Sequence, residues 1–165
     1  MITRQIILFY ALLASSAAFA DDERTLYQSE PSTGTRIRQG IAYWAIPPKK
    51  TYEQLNNSER ESVRGAYENL AAEDEPPYPQ EGMAPMIKAV AELQQDLMWT
   101  GKMLLIIKVD ETGKATSVQF DPTPPTREFA KRINKIFATT KFKPAKCSGQ
   151  PCQMKFPVKI AFRIG

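Results

Sequence analysis

The sequence predicts an α+β domain, and three observations lead there. The closing stretch, Phe142 to Ile164, ends on a period-2 run in which Val158, Ile160 and Phe162 alternate with Lys159, Ala161 and Arg163. Such alternation marks a strand with one buried face. Lys102 to Val109 is dense in Met, Leu, Ile and Val. The turn Asp110-Glu111-Thr112-Gly113 follows, and Lys114 to Phe120 continues with Ala115, Val118 and Phe120. This reads as a hairpin whose Gly113 supplies the left-handed position of a bulged loop. Between the hairpin and the last strand, Arg127 to Thr139 sets Phe129, Ile133, Ile136 and Phe137 on one face and Arg127, Lys131, Arg132 and Lys135 on the other, an amphipathic helix.

The chain order of the core is helix, strand, strand, helix, strand. The helix after the second strand carries the chain back, so the third strand runs parallel to the second. Placing the first strand between them makes every neighbour antiparallel and keeps the crossover right-handed. The expected fold is therefore a three-stranded antiparallel sheet of order 2-1-3 packed on a helix, with an N-terminal helical extension. The last strand lies at an edge. Pro157 agrees, because proline lacks an N–H donor and is confined to strand ends, bulges and edges.

The first residues stand apart from the fold. Arg4 supplies a positive region, Ile6 to Ala14 an apolar one, and Ala18-Phe19-Ala20 a cleavage site ahead of Asp21-Asp22-Glu23. Residues 1–20 read as a secretory signal peptide. The competing reading is an uncleaved anchor, but the apolar run to Ala20 contains Ser15 and Ser16 and is short against the roughly 20 residues of a membrane span. Residues 21–75 read as an N-terminal extension. Its start is polar, with Leu26 and Tyr27 as its first apolar tethers. Arg36 to Ile46 is strand-like, with Gly40 as an interruption and Pro47-Pro48 as its end.

A helix is expected over Glu59 to Ala72. Thr51 with Gln54 and Ser58 with Glu61 both match the capping-box pattern, and Val63, Tyr67 and Leu70 form a narrow stripe. Glu73 to Pro79 reads as a linker, its prolines enforcing an extended path. Pro85 then opens a second helix whose Met86, Val90, Leu93 and Leu97 share a face and which ends before Gly101. The main domain is placed at 76–165.

Cysteine usage agrees with export. Cys147 and Cys152 flank Ser148-Gly149-Gln150-Pro151, and a close pair in an exported chain is expected to form a disulfide. The C-x4-C spacing is not the C-x-x-C of redox motifs. Charge is divided along the chain. Residues 21–121 hold 11 basic and 17 acidic side chains, while residues 122–165 hold 10 basic residues against Glu128 alone. The two halves can simply complement each other, or the basic part can meet an anionic partner. A nucleic-acid partner is not expected, because no recognition motif appears. The chain has no histidine, no Gly-rich phosphate loop and no calcium-loop pattern at Asp110 to Gly113. No enzymatic activity, metal or cofactor is expected.

Several motifs follow one another in a fixed order: Tyr78-Pro79, Gly101, a strand ending Val109-Asp110 with Gly113 beyond it, a helix, Phe142-Lys143-Pro144-Ala145, Gly149-Gln150-Pro151, and Pro157-Val158 with Ile160 and Phe162. This ordered set resembles the TonB C-terminal domain family over about residues 76–165. The resemblance implies a periplasmic domain whose final strand pairs with an extended peptide of an outer-membrane transporter, by β-augmentation. The residues of that edge would be Lys155, Phe156, Val158, Lys159, Ile160, Ala161, Phe162 and Arg163. Transducers of the family carry a membrane anchor and a Pro-rich spacer, and neither is expected here. The alternative expectation is accordingly an envelope scaffold that meets an anionic component, or a protein that self-associates into a homodimer, without energy transduction.

Overall fold

The computed structural model describes residues 46–162 together with Ile37. The signal-peptide reading of residues 1–20, most of the strand-like stretch before Ile46, and Arg163 lie outside the described residues.

The structure is α+β, with three antiparallel sheets and three α-helices among the described residues. The first helix, α1 (Asn57–Arg64), corrects the expected span of Glu59 to Ala72. Its capping box is Asn56 with Glu59, not Ser58 with Glu61. The Asn56 side chain accepts from the Glu59 amide at 2.9 Å, and Glu59 accepts from the Asn56 amide at 2.8 Å. The helix stops at Gly65, a poor helix former. The Arg64 guanidinium then donates to the carbonyls of Ala71 and Asp74, which folds the following loop back onto the helix. Tyr67 and Leu70 therefore lie beyond the helix. Tyr67 instead forms an antiparallel bridge with Ile37.

The Pro-rich stretch is no linker. Residues 76–79 are all buried, and β1 (Tyr78–Pro79) pairs with β4 (Phe142–Lys143). The short side chains of proline and the Tyr78 ring fill the core there, where a free linker would be solvated. Glu75 ties the same stretch to β5 (Ala145–Cys147) through two backbone hydrogen bonds with Lys146, at 2.8 and 2.9 Å. The β5 strand turns back into β6 (Gln150–Cys152), and Cys147 and Cys152 are joined across this hairpin as a disulfide, with Cα atoms 5.8 Å apart. Gly149 takes φ +80° at its tip.

The main sheet has β2 (Gly101–Val109) at its centre, flanked by β3 (Ala115–Asp121) and β7 (Met154–Phe162). Both pairings are antiparallel. Period 2 sorts the side chains. Met103, Leu105, Ile107 and Val109 point to one face, opposite Ile160, Val158, Phe156 and Met154 of β7. This face is the core, and α3 (Arg127–Thr139) covers it with Phe129, Ala130, Ile133 and Phe137. The Thr126 hydroxyl caps α3 by accepting from the Phe129 amide. Helix α2 (Ala84–Leu97) packs beside α3 through Met86, Val90 and Leu93. Ile46, Tyr52, Leu55, Val63, Ala66 and Tyr67 belong to the same buried cluster, so the end of the extension packs on the domain.

Gly113 links two of the sequence motifs. Its φ is +85°, and a Cβ there would stand 2.1 Å from the Phe142 carbonyl oxygen. The close approach lets the Phe142 amide donate to the Gly113 carbonyl at 3.0 Å, so the hairpin turn docks directly on β4. A Gly113→Ala protein is expected to lose about 2 kcal/mol or more of stability, measured by urea unfolding.

Glu75 offers a second check. Burial pushes its carboxyl upward, but Lys143 and Lys146, with nitrogens 2.7 and 3.6 Å away, outweigh that and hold it below its ordinary 4.5. A lowered folded-state pKa adds stability that is complete above the ordinary carboxylate range and is lost as pH falls through the folded value. The stability gap between wild type and Glu75→Gln, up to about 1 kcal/mol for a partly exposed pair, is expected to be present at neutral pH and to close in acid. Unfolding curves at a series of pH values measure it.

Candidate functional site

The candidate site is the outer edge of β7. Two aromatic clusters fix that strand. Near its start, the Phe156 ring meets Phe142 at 5.4 Å and Tyr78 at 6.3 Å between centroids, both edge-on. Tyr78 in turn meets Tyr52 at 5.9 Å. Burial, and behind it the charge of Glu59, pushes the Tyr78 hydroxyl up to about 12. Near the end of the strand, Phe162, Phe129 and Trp99 form a triangle with sides of 5.0 to 5.6 Å. Gly101 permits this triangle, because a Cβ there would sit 2.7 Å from the Trp99 ring. Edge-to-face pairs of this kind add about 0.5–1.5 kcal/mol each beyond area burial.

Pinning both ends fixes which backbone groups face outward. In an antiparallel pair, alternate residues turn their N–H and C=O toward the partner strand or away from it. The Tyr67 hydroxyl donates to the Lys155 carbonyl at 2.8 Å, which places Lys155 in the outward row. The same row then contains Pro157, Lys159 and Ala161. Pro157 has no N–H to offer. The first half of the edge is thus closed, by Tyr67 at Lys155 and by a missing donor at Pro157. At Lys159 and Ala161 the backbone groups have no hydrogen bond beyond the β2–β7 ladder among the described residues.

The open half borders a groove of about 280 Å³ between the edge and α2. Residues 158–162 form one wall. Met86, Ile87, Val90, Ala91 and Gln94 form the other, with Ile46, Pro48 and Met83 at one end. Ile87, Ala91 and Gln94 fall at i, i+4 and i+7, a second stripe on α2 beside its core face. Ile87 and Met98 are the large apolar side chains that stand exposed among the described residues, at 38% and 67%. Of the two, Ile87 lines the groove, and an exposed apolar group beside a strand edge marks an interaction surface more specifically than a scattered one does. A larger cleft of about 690 Å³ runs between α2 and α3. Its walls carry both signs of charge, with Glu81, Glu92 and Glu128 opposing Lys131, Lys135 and Lys141, and it contains no unpaired strand.

The predicted edge residues divide into two sets. Phe156, Val158, Ile160 and Phe162 are buried core side chains, and their backbone N–H and C=O groups face β2, not the edge. Lys155, Lys159 and Ala161 lie on the sheet's other face. There Lys155 sits opposite Lys108, and Lys159 opposite Leu104. The motif residues before β7 are scaffold and do not line the groove, whereas Val158, Ile160 and Phe162 do. Tyr78, Phe142 and Ala145 are fully buried. Pro79 pairs with Phe142, Pro144 packs against the Gly113 turn, and Pro151 pairs with Lys146 in the disulfide hairpin. Sequence reasoning missed Tyr67 and the outer stripe of α2. The stripe is present in the sequence as a second i, i+4, i+7 series, but Gln94 interrupts it and the core series of Met86, Val90 and Leu93 is stronger.

No known protein family and no curated protein matches this chain.

The alternation of the β7 backbone has a direct readout. Amides of Phe156, Val158 and Ile160 are expected to exchange with solvent at least about tenfold more slowly than those of Lys159 and Ala161, because the latter are free of the ladder. Residue-resolved hydrogen exchange measures the difference. Uniform protection along residues 156–161 would show that the outward row is already paired.

Proposed function

We propose that this protein is a TonB C-terminal-like binding module of the periplasm, exported by residues 1–20, that takes an extended peptide onto the free half of β7 by strand addition. One observation carries the reading: a backbone edge at Lys159 and Ala161, with no hydrogen bond beyond the β2–β7 ladder among the described residues, borders an apolar groove walled by α2. Backbone pairing would supply affinity and the groove would select the side chain that enters it. The ordered motifs from Tyr78 to Phe162 support the family reading, and with it a transporter-derived peptide and the sheet order 2-1-3 as a family trait. The role is binding, not catalysis, with no cofactor, and no force is transmitted through it.

A second reading is favoured by the lysines. Lys102, Lys155 and Lys159 lie around Leu104 and Ile106 on the sheet face away from the helices. That surface suits an anionic envelope component, and the same edge could pair with a second copy.

Titration of transporter N-terminal peptides into the protein, followed by amide chemical shifts, separates these readings. Shifts concentrated at residues 158–162 and along Ile87 to Gln94 are expected. Peptide-independent broadening that grows with protein concentration would indicate self-pairing. Silence at this edge with every peptide would overturn strand addition.

A further inference from the structure

We infer that the edge of β7 selects a short extended segment in which apolar and acidic residues alternate. This rests on the strand-addition reading and adds a side-chain code to it. A strand laid in the plane of the sheet turns alternate side chains to opposite faces. Residues of the guest opposite Val158, Ile160 and Phe162 would point to the helix side, where the groove presents Ile87, Val90 and Ala91. Only apolar side chains avoid a desolvation cost there. Residues opposite Lys159 and Ala161 would point to the other face.

That other face is basic. Lys159 faces Leu104 on β2, and Lys102 lies directly behind Ala161. Ala161 ends at its Cβ, so Lys102 remains reachable across it by a long side chain. Neither Lys102 nor Lys159 has an ion pair among the described residues. A guest residue paired at Lys159 or Ala161 would have Lys159 or Lys102 as a neighbour across or behind that pairing. Opposite charges in such positions attract, so glutamate or aspartate is the side chain that fits. The guest is also short. Tyr67 holds the Lys155 carbonyl and Pro157 offers no donor, so the ladder cannot extend past Val158. The five positions of Val158–Phe162 bound the site.

The test compares two blocked synthetic peptides, one repeating Val-Glu and one repeating Val-Lys, binding to the full protein and to its Lys159→Glu variant. Lys159 is partly exposed, so the substitution leaves the core intact, and Lys102→Gln serves as a second, independent variant. The wild type is expected to prefer the Val-Glu peptide by about tenfold, from two exposed pairs of up to about 1 kcal/mol each. The preference should shrink at high salt, narrow several-fold in Lys102→Gln and reverse in Lys159→Glu. Equal affinity for both peptides, with amide shifts at residues 158–162, would overturn the code and leave strand addition standing. Absence of shifts at these residues with either peptide would overturn both.

Discussion

Everything at the candidate site depends on β7 being unable to slip. Four of its side chains enter the core on one face, and the outer two of them, Phe156 and Phe162, sit in separate aromatic clusters. A one-residue shift would turn Phe156, Val158, Ile160 and Phe162 to the lysine-bearing face and bring Lys155, Lys159 and Ala161 into the core. The clusters draw their rings from different parts of the chain: Tyr78 and Phe142 from the small β1–β4 ladder, Trp99 from the α2–β2 connection and Phe129 from α3. The strand that closes the chain is therefore held by elements placed before it.

The apparatus that fixes the start of β7 also closes half of its edge. Tyr67 comes from the extension, packs in the shared core and places its hydroxyl on Lys155. Edge strands invite unwanted pairing, and here the invitation is limited by three means. A side-chain hydroxyl occupies one carbonyl, a proline removes one donor, and lysines line one face. What remains open is short and lies over α2. In the strand-addition reading, selectivity follows from which groups are still exposed.

Elements with a strong local period are legible in the residues alone. The α3 helix begins and ends where its amphipathic pattern does, at Arg127 and Thr139. Gly113 reads as a turn glycine, and its φ of +85° agrees. The disulfide between Cys147 and Cys152 follows from their spacing. Elements with weak or competing signals mislead. The helix expected to reach Ala72 ends at Arg64, before Gly65, and Arg64 then holds backbone carbonyls of the next loop, a contact invisible to periodicity. Glu73 to Pro79 has a linker's composition, yet Pro76 to Pro79 are buried, since β4 and β5 supply partners from far along the chain.

Residue type at fixed spacing dictates the buried face of each strand, the amphipathic axis of α3 and the unequal distribution of charge, so all three can be read from the chain without its fold. Which half of the β7 edge is closed by described residues is settled in three dimensions. That depends on where the Tyr67 hydroxyl lands and on how close α2 comes to residues 158–162. Both are contacts between segments distant along the chain, and one-dimensional patterns carry no information about the distance between two elements once each has formed.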